Sequence, residues 1–537
     1  MHTMMDYPLT LTAILERAGK YFGGVEIVSR LPDRSIHRTT WGRIHDRARR
    51  LAECLGSAGL NQGDRVATLM WNHYAHLEAY FGIPAAGGVL HSLNLRLHPN
   101  EIAYTVNHAQ DRFLIVDDVL LPVLEKFMPH VKFERIFVVR HPGPPSQHQY
   151  EDYEGWLKQA GGKFRYPEIS ELDGASICFT SGTTGNPKGV LYSHRALVLH
   201  SMAQTMADSC AASQHDAMLL ASSMFHANGW GHAFTAAMVG AKFVLPGPHL
   251  DADSLLELIE QEGVTMTCAV PTVWLGVVAA LDKRGADFRF ARDVRILCGG
   301  TAAPESLIRG LDRHGFRLIH SWGMTETSPM ATVSRLQPTM LGWPEDKQYA
   351  QRTKQGWPLP FVEVRVAAEN GPAPWDGQTM GELEVRGPWV AGSYYNAPET
   401  KDRWTADGWF RTGDVATIDP VGCIKLVDRS KDLVKSGGEW ISSVDLENTL
   451  MSHPAVREAG VVGVRHPKWE ERPLAVVVLK EGALVTANEL RLFLSAKFAK
   501  WQLPDDFVFV SELPHTSTGK LLKTELRTKY KDWKWKP

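Results

Sequence analysis

The 537-residue chain is short of several features that would place it in a membrane, on nucleic acid or outside the cell. Its longest apolar run, Val273 to Leu281, falls well below the about 20 residues that a membrane helix requires. Acidic and basic residues nearly cancel to a net charge of -2, so no general attraction to nucleic acid or an anionic bilayer is expected. Cysteine is sparse. Cys54, Cys178, Cys210, Cys268, Cys298 and Cys423 form no C-x-x-C pair and no metal-type spacing, and they read as reduced thiols packed as small hydrophobes. The stretch Met1 to Pro8 has no basic segment followed by an apolar one, which argues against a secretory signal. A soluble, cytoplasmic protein is expected. Two enzyme classes also lose support. There is no G-x-S-x-G nucleophile elbow, and no G-x-G-x-x-G follows a strand, so serine hydrolases and nicotinamide oxidoreductases are disfavoured.

What is present is ordinary globular composition, 44% hydrophobic and 22% charged, in a chain too long for one core. The first half alternates strands and helices. Arg65 to Trp71 is strand-like, Asn72 is placed to cap the helix after it, Gly87 to Leu90 opens another strand, Pro99-Asn100-Glu101 opens a second helix, and Phe113 to Val116 is a further strand. The pattern resumes with Ala241 to Pro246, a helix Leu255 to Glu262 capped by Asp253 or Ser254, and strands Thr265 to Val270, Val294 to Cys298 and Arg317 to His320. Strands separated by helices imply parallel βαβ units, and such sheets bind ligands beyond the carboxyl ends of their strands. That places Gly299–Pro304 and Ser321–Thr327 where a ligand should sit. From about residue 356 short alternating strands take over, as in Val362 to Val366, Gly381 to Arg386 and Cys423 to Val427. The expected fold is α/β: a large N-terminal domain of parallel βαβ sheets over 1–428, including a β-rich subdomain over about 356–428, and a small mobile α+β C-terminal domain over 429–537.

The segment Thr180-Ser181-Gly182-Thr183-Thr184-Gly185-Asn186-Pro187-Lys188-Gly189 carries the chemistry. It concentrates glycines, hydroxyls, a lysine and free backbone N–H groups, as wrapping a polyphosphate requires. It is not a Walker A loop, because Pro187 precedes the lysine and Gly189 follows it. T-S-G-T-T-G-x-P-K-G resembles the phosphate-loop signature of the adenylate-forming superfamily, which includes acyl-CoA synthetases, peptide-synthetase adenylation domains and luciferase. Further motifs of that family follow in order: Gly299 to Pro304, Trp322 to Thr327, Phe410 to Asp414, Asp428 to Asp432, Lys435 to Ile441 and Pro514 to Lys520. The resemblance covers nearly the whole chain. It implies an AMP-forming acid–thiol ligase, which makes an acyl-adenylate from a carboxylic acid and ATP and passes the acyl group to coenzyme A.

The resemblance also implies roles. Lys520 would reach the carboxylate and α-phosphate during adenylation, where an ammonium offsets accumulating negative charge. Glu326 and Thr184 would be associated with Mg²⁺, which favours oxygen ligands. Asp414 would accept both ribose hydroxyls, aided by Arg429, with Lys435 a further cation. Nucleotide contacts are expected from Thr180, Ser181, Gly182, Thr183, Thr184, Gly185, Lys188, Gly300, Thr301, Ala302, His320, Ser321, Gly323, Met324 and Thr325. Trp322 stands where the family often has tyrosine, and either ring can cover adenine. The acyl pocket is expected to involve His226, Gly229, Trp230, Gly300, Trp322 and Gly323. His226 reads as catalytic only in a broad sense, as an aromatic shield, since the attacking carboxylate is already ionised at neutral pH. Trp230 reads as either a gate or core packing. Asp428 occupies the family's hinge position, about which the C-terminal domain turns so that Lys435, Gly437, Gly438, Glu439 and Trp440 meet coenzyme A in the second step.

Within the family, the stretches Leu245–Pro248, Pro271–Leu275, Gly437–Asn448 and Lys500–Pro504 resemble the medium- and long-chain fatty acyl-CoA synthetase branch, which also holds 3-methylmercaptopropionyl-CoA ligases. A medium-chain fatty acid is the expected substrate, with the short thioether acid as alternative and an aryl acid less favoured. The branch implies a homodimer. Asp253-Ser254-Leu255 superficially resembles a phosphopantetheine attachment site, but it lies where a helix cap is expected and reads as structural.

Overall fold

The computed structural model describes residues 3–143, 148–180, 186–284, 293–369, 371–436, 439–516 and 520–535. Two large sheets form the body. The seven-stranded one runs Glu151–Asp152, Arg135–Val139, Asp111–Asp117, Arg65–Leu69, Val89–Ser92, Gly174–Phe179 and Gly189–Ser193. Every neighbouring pair is parallel except the last. The nine-stranded sheet is parallel from Phe316–Gly323 through Val294–Cys298, Met266–Ala269, Ala217–Leu219 and Lys242–Leu245 to Glu26–Arg30, with antiparallel strands at both edges. Helices cover the faces of these sheets, so their strands are apolar on both sides: Phe113, Leu114, Ile115 and Val116 are all fully buried.

Two predicted helix caps are displaced. Helix Tyr74–Ala85 is capped by His73, whose side chain accepts from Ala75 N–H. Asn72 instead spans the two sheets: its amide donates to Leu220 O at 3.1 Å and Ser222 O at 2.7 Å, and its carbonyl accepts from Met224 N–H at 2.9 Å. A buried amide that can satisfy three backbone groups across the chain does better there than at one helix end. Helix Ala252–Gln261 begins earlier than expected and is capped by Asp251, which accepts from Ser254 N–H at 2.9 Å.

The β-rich region is a five-stranded antiparallel sheet containing Glu363–Ala368, Gly381–Arg386, Phe410–Ile418 and Ile424–Arg429. After it comes a separate α+β C-terminal domain. Its long hairpin Val456–His466 and Glu470–Leu479 is flanked by strands Val434–Ser436 and Asp506–Phe509 and by helices Ser443–Met451, Ala487–Ser495 and Lys523–Tyr530. Two apolar clusters of its own, built around residues such as Val461, Val477 and Leu490 on one side and Val476, Leu513 and Leu526 on the other, form its core. No helix among the described residues is long and apolar enough to cross a membrane.

Candidate active site

Four parts of the chain converge beyond the carboxyl ends of the central strands. Strand Val294–Cys298 leads into Gly299–Pro304, and its neighbour Phe316–Gly323 leads into the turn Thr325–Thr327. His320 Nε2 accepts from Ala303 N–H at 3.3 Å, and Ser321 Oγ donates to Cys298 O at 3.2 Å, so the two segments are tied side by side. From the other large sheet, Tyr192 on strand Gly189–Ser193 donates its hydroxyl to Thr325 O at 2.7 Å. The stem of the phosphate loop is closed by Thr180 N–H to Lys188 O at 2.9 Å and Lys188 N–H to Thr180 Oγ1 at 3.1 Å. Ser181, Gly182, Thr183, Thr184 and Gly185 lie outside the described residues.

Asp414 is the electrostatic centre. It sits on strand Phe410–Ile418 directly opposite Arg429, the last residue of strand Ile424–Arg429. That register puts the Arg429 Nε 2.6 Å from Asp414 Oδ1. The other oxygen accepts the indole N–H of Trp322 at 2.9 Å. Trp322 therefore does more than offer a ring: unlike a tyrosine in its place, it presents an N–H that is a donor only, aimed at the carboxylate. Each carboxylate oxygen keeps a further lone-pair direction for an incoming hydroxyl.

Glu326 is buried and receives the hydroxyl of Tyr394. Burial, and then the Glu326 charge, push the Tyr394 phenol well up, so it stays a donor. The Lys188 ammonium lies 5.4 Å from the centre of the same ring. Tyr394 went unnoticed in the sequence; its only signal is the aromatic pair Tyr394-Tyr395 after Gly392, which carries no spacing rule.

Lys520 comes from the C-terminal domain and closes the site. Its backbone is pinned by Thr516 N–H to Lys520 O at 2.7 Å and Lys520 N–H to Thr516 Oγ1 at 3.1 Å. Its side chain lies over Gly300, where a Cβ would stand 3.2 Å from Lys520 Cε; Gly300 also has φ +87°, a conformation that favours glycine. Burial and the neighbouring Arg429 push the ammonium down to about 8, with Asp414 and Glu326 opposing. His226 is pushed down to about 3 by burial and then by Lys520 and Arg96, so it is neutral and too weak a base to deprotonate anything at neutral pH.

Ala227 to Gly231, expected at the acyl pocket, form a turn in which every residue has positive φ, from 35° to 74°. Asn228 donates its amide to Ser176 Oγ, and Gln204 Nε2 donates to Trp230 O at 2.7 Å. Gly229 and Trp230 are buried within it. The segment assigned to the second step is elsewhere. Lys435 is exposed with its ammonium 5.0 Å from the ring of Trp440, and Glu439 and Trp440 are exposed too; Gly437 and Gly438 lie outside the described residues.

This architecture is that of enzymes that bind AMP. The AMP-binding enzyme family matches residues 15–395, and the AMP-binding enzyme C-terminal domain matches 445–520. The chain is 48% identical to a long-chain-fatty-acid–CoA ligase of Thermus thermophilus over 99% of this chain and 97% of that one. It is 42% identical to a 3-methylmercaptopropionyl-CoA ligase of Ruegeria pomeroyi, covering 98% of each, and 42% identical to a medium-chain-fatty-acid–CoA ligase of Ectopseudomonas oleovorans, covering 98% and 97%. The crystal structure of an anthranilate CoA ligase with anthranoyl-AMP superposes with a TM-score of 0.86 at 25% identity, covering 98% of both chains. The chain belongs to the AMP-binding enzyme family, in its acid–CoA ligase branch.

Proposed function

We propose that this ligase acts on a medium-chain fatty acid, joining it to AMP and then to coenzyme A. The observation that supports the adenylating chemistry is the placing of Lys520 over Gly300, beside Asp414, Arg429 and Glu326, and the choice of acid is supported by the likeness to a medium-chain-fatty-acid–CoA ligase. In the first step a carboxylate oxygen attacks the α-phosphorus of ATP and the bond to pyrophosphate breaks. Lys520 faces the negative charge that builds there, Asp414 receives the ribose diol, and Trp322 and the Gly300–Ala302 backbone flank the base. Lys188 faces the phosphates from the loop stem. Glu326 would hold Mg²⁺ with Thr184, and its buried carboxylate suits a hard cation that, when bound, screens the triphosphate. Neutral His226 shields the reacting centre and takes no proton.

In the second step the thiol of coenzyme A attacks the acyl carbon, a C–S bond forms, and AMP leaves. The exposed Lys435, Glu439 and Trp440, with Gly437 and Gly438, would face the site after the domain beyond Asp428 has turned. On this reading the mobile unit begins at residue 429, and the nine- and seven-stranded sheets with the β-rich subdomain form the static unit, 1–428. Six buried free thiols fit a reducing, cytoplasmic setting, and the branch supports a homodimer.

A specific observation keeps the thioether acid as second reading: the 3-methylmercaptopropionyl-CoA and medium-chain ligases are equally similar to this chain. A panel of acids from short to long chain, with aryl and thioether members, assayed for coenzyme A-dependent AMP formation, tests both. A maximum at medium chain supports the first; a maximum at the thioether acid replaces it; no AMP with any acid removes both.

Trp230→Ala is expected to flatten chain-length preference. An apolar wall discriminates by about 1–3 kcal/mol per methylene, so the relative kcat/KM for longer acids should rise by roughly tenfold or more. An unchanged profile, with only a lower Tm, would assign Trp230 to packing.

A further inference from the structure

The segment at the hinge position and the helix that follows Lys520 are joined by two ion pairs of different character. Helix Lys523–Tyr530 presents Lys523 and Arg527, one turn apart, to Asp428 and Asp432. Arg527 pairs directly with Asp432. Lys523 stands among several groups. Its Nζ is 2.8 Å from Glu447 Oε1 and 3.9 Å from Asp428 Oδ1, and it donates to Ser443 Oγ at 2.6 Å. Asp428 in turn accepts from Ser443 N–H at 2.8 Å, from Ser443 Oγ–H, and from Arg429 N–H at 2.8 Å. Side-chain exposures of 11% for Lys523, 2% for Asp428 and 9% for Glu447 make this a nearly dry cluster. In such surroundings each lost contact is felt more strongly than at the surface.

The two pairs would respond differently to rotation. Asp432 lies beyond the hinge and travels with Arg527, so their pair survives. The Asp428 carboxylate branches from the hinge Cα itself. Rotation about the backbone bond that follows it carries Lys523, Ser443 and Glu447 away together. Lys523 then keeps Glu447, so its charge is never stranded, and of its own ion pairs only the one to Asp428 is lost, alongside contacts such as Arg429–Asp414 and Lys425–Asp445 that also bridge the hinge position. Lys520 is only one turn of chain from Lys523, so whatever fixes Lys523 relative to the hinge also fixes where Lys520 points.

We propose that Lys523 is a positioning residue: by clamping the Asp428 carboxylate together with Ser443, it holds the C-terminal domain in the adenylating arrangement and keeps Lys520 over Gly300. The proposal rests on the two-arrangement reading given above. It does not concern the reacting atoms, which Lys523 does not touch.

The test separates the half-reactions in the full-length enzyme. Adenylation is read as acid-dependent exchange of pyrophosphate into ATP, and thioester formation as consumption of a synthetic acyl-adenylate by coenzyme A. Lys523→Met should slow adenylation by about tenfold or more, the scale set by charged hydrogen bonds, while thioester formation holds or quickens. Lys523→Arg should restore most of the ratio between the steps. Arg527→Met should lower Tm but move both steps together. Should Lys523→Met not fold, Ser443→Ala removes a clamp partner without stranding a charge and should shift the ratio the same way by a smaller factor. Equal slowing of both steps by Lys523→Met, or an unchanged ratio in Ser443→Ala when only that variant folds, overturns the clamp. Lys520→Ala in the same assays tells the two ideas apart. If it splits the half-reactions and Lys523→Met does not, the clamp alone fails; if it slows both equally, the two-arrangement reading fails first.

Discussion

Lys520→Ala is expected to slow acid-dependent adenylation by on the order of 10²–10³-fold, while the reaction of preformed acyl-adenylate with coenzyme A continues near its normal rate. The asymmetry follows from where the charge is needed. In the first step two anions meet and negative charge accumulates at phosphorus, and Lys520 is the cation that the C-terminal domain brings over Gly300. In the second step the phosphorus is no longer attacked. Equal loss in both steps would refute this division of labour. The same lysine predicts a pH limb. Because burial and Arg429 bring the ammonium to about 8, the cation that assists catalysis is present below that pH and is lost above it. The kcat/KM for ATP in adenylation, which reports the free enzyme, should fall by about tenfold per pH unit well above 8. Thioester formation should lack that limb, and so should adenylation by Lys520→Arg, whose guanidinium stays charged.

Asp414→Ala is expected to raise the KM for ATP by roughly 10²-fold, the low end of the scale of two charge-assisted hydrogen bonds. Unlike the lysine variant, it should weaken both half-reactions, since the acyl-adenylate carries the same ribose. The wild-type enzyme should discriminate strongly against 2′- and 3′-deoxy-ATP, and the variant should not. Retained discrimination in Asp414→Ala would place the diol elsewhere. Asparagine should be no kinder than alanine. Trp322 N–H and Arg429 Nε already address both oxygens as donors, and an amide would turn its own N–H₂ against one of them. Part of the loss will be structural, because Trp322 N–H and Arg429 are left without their acceptor, and a Tm measured alongside separates that part.

The βαβ halves, the β-rich region and the C-terminal domain were legible in the sequence, because strand and helix periodicities are local, whereas the antiparallel pairing of the β-rich strands was not. The Gly381–Arg386 strand falls on the expected residues, and Ile424–Arg429 is shifted by one or two from the expected Cys423 to Val427. Motifs likewise located Asp414, Arg429, Glu326 and Lys520, which the fold brings together. What escaped were partnerships across long stretches of chain. Nothing local says that Trp322 donates to a carboxylate far downstream, that Tyr394 donates to Glu326, or that Lys523 reaches back to Asp428. Asn72 is the instructive error. Its position before a helix made it a cap by every local rule, yet its amide binds three backbone groups beside the other sheet, and His73 takes the cap. A polar residue at a sheet junction is claimed by the tertiary structure before the helix can use it.

The left-handed run from Ala227 to Gly231 differs in kind from the strand register that joins Asp414 to Arg429. Ala227 and Trp230 each adopt a backbone shape they would not choose alone, at a cost of roughly 1–2 kcal/mol apiece, while Asn228 tolerates it more readily. Their path is imposed by neighbours such as Ser176 and Gln204. The Asp414–Arg429 pair is written into a strand register that comes with the fold, whereas the turn at 227–231 is moulded from outside. On the proposed reading that this turn lines the acid, substrate range can drift through residues that never touch the substrate.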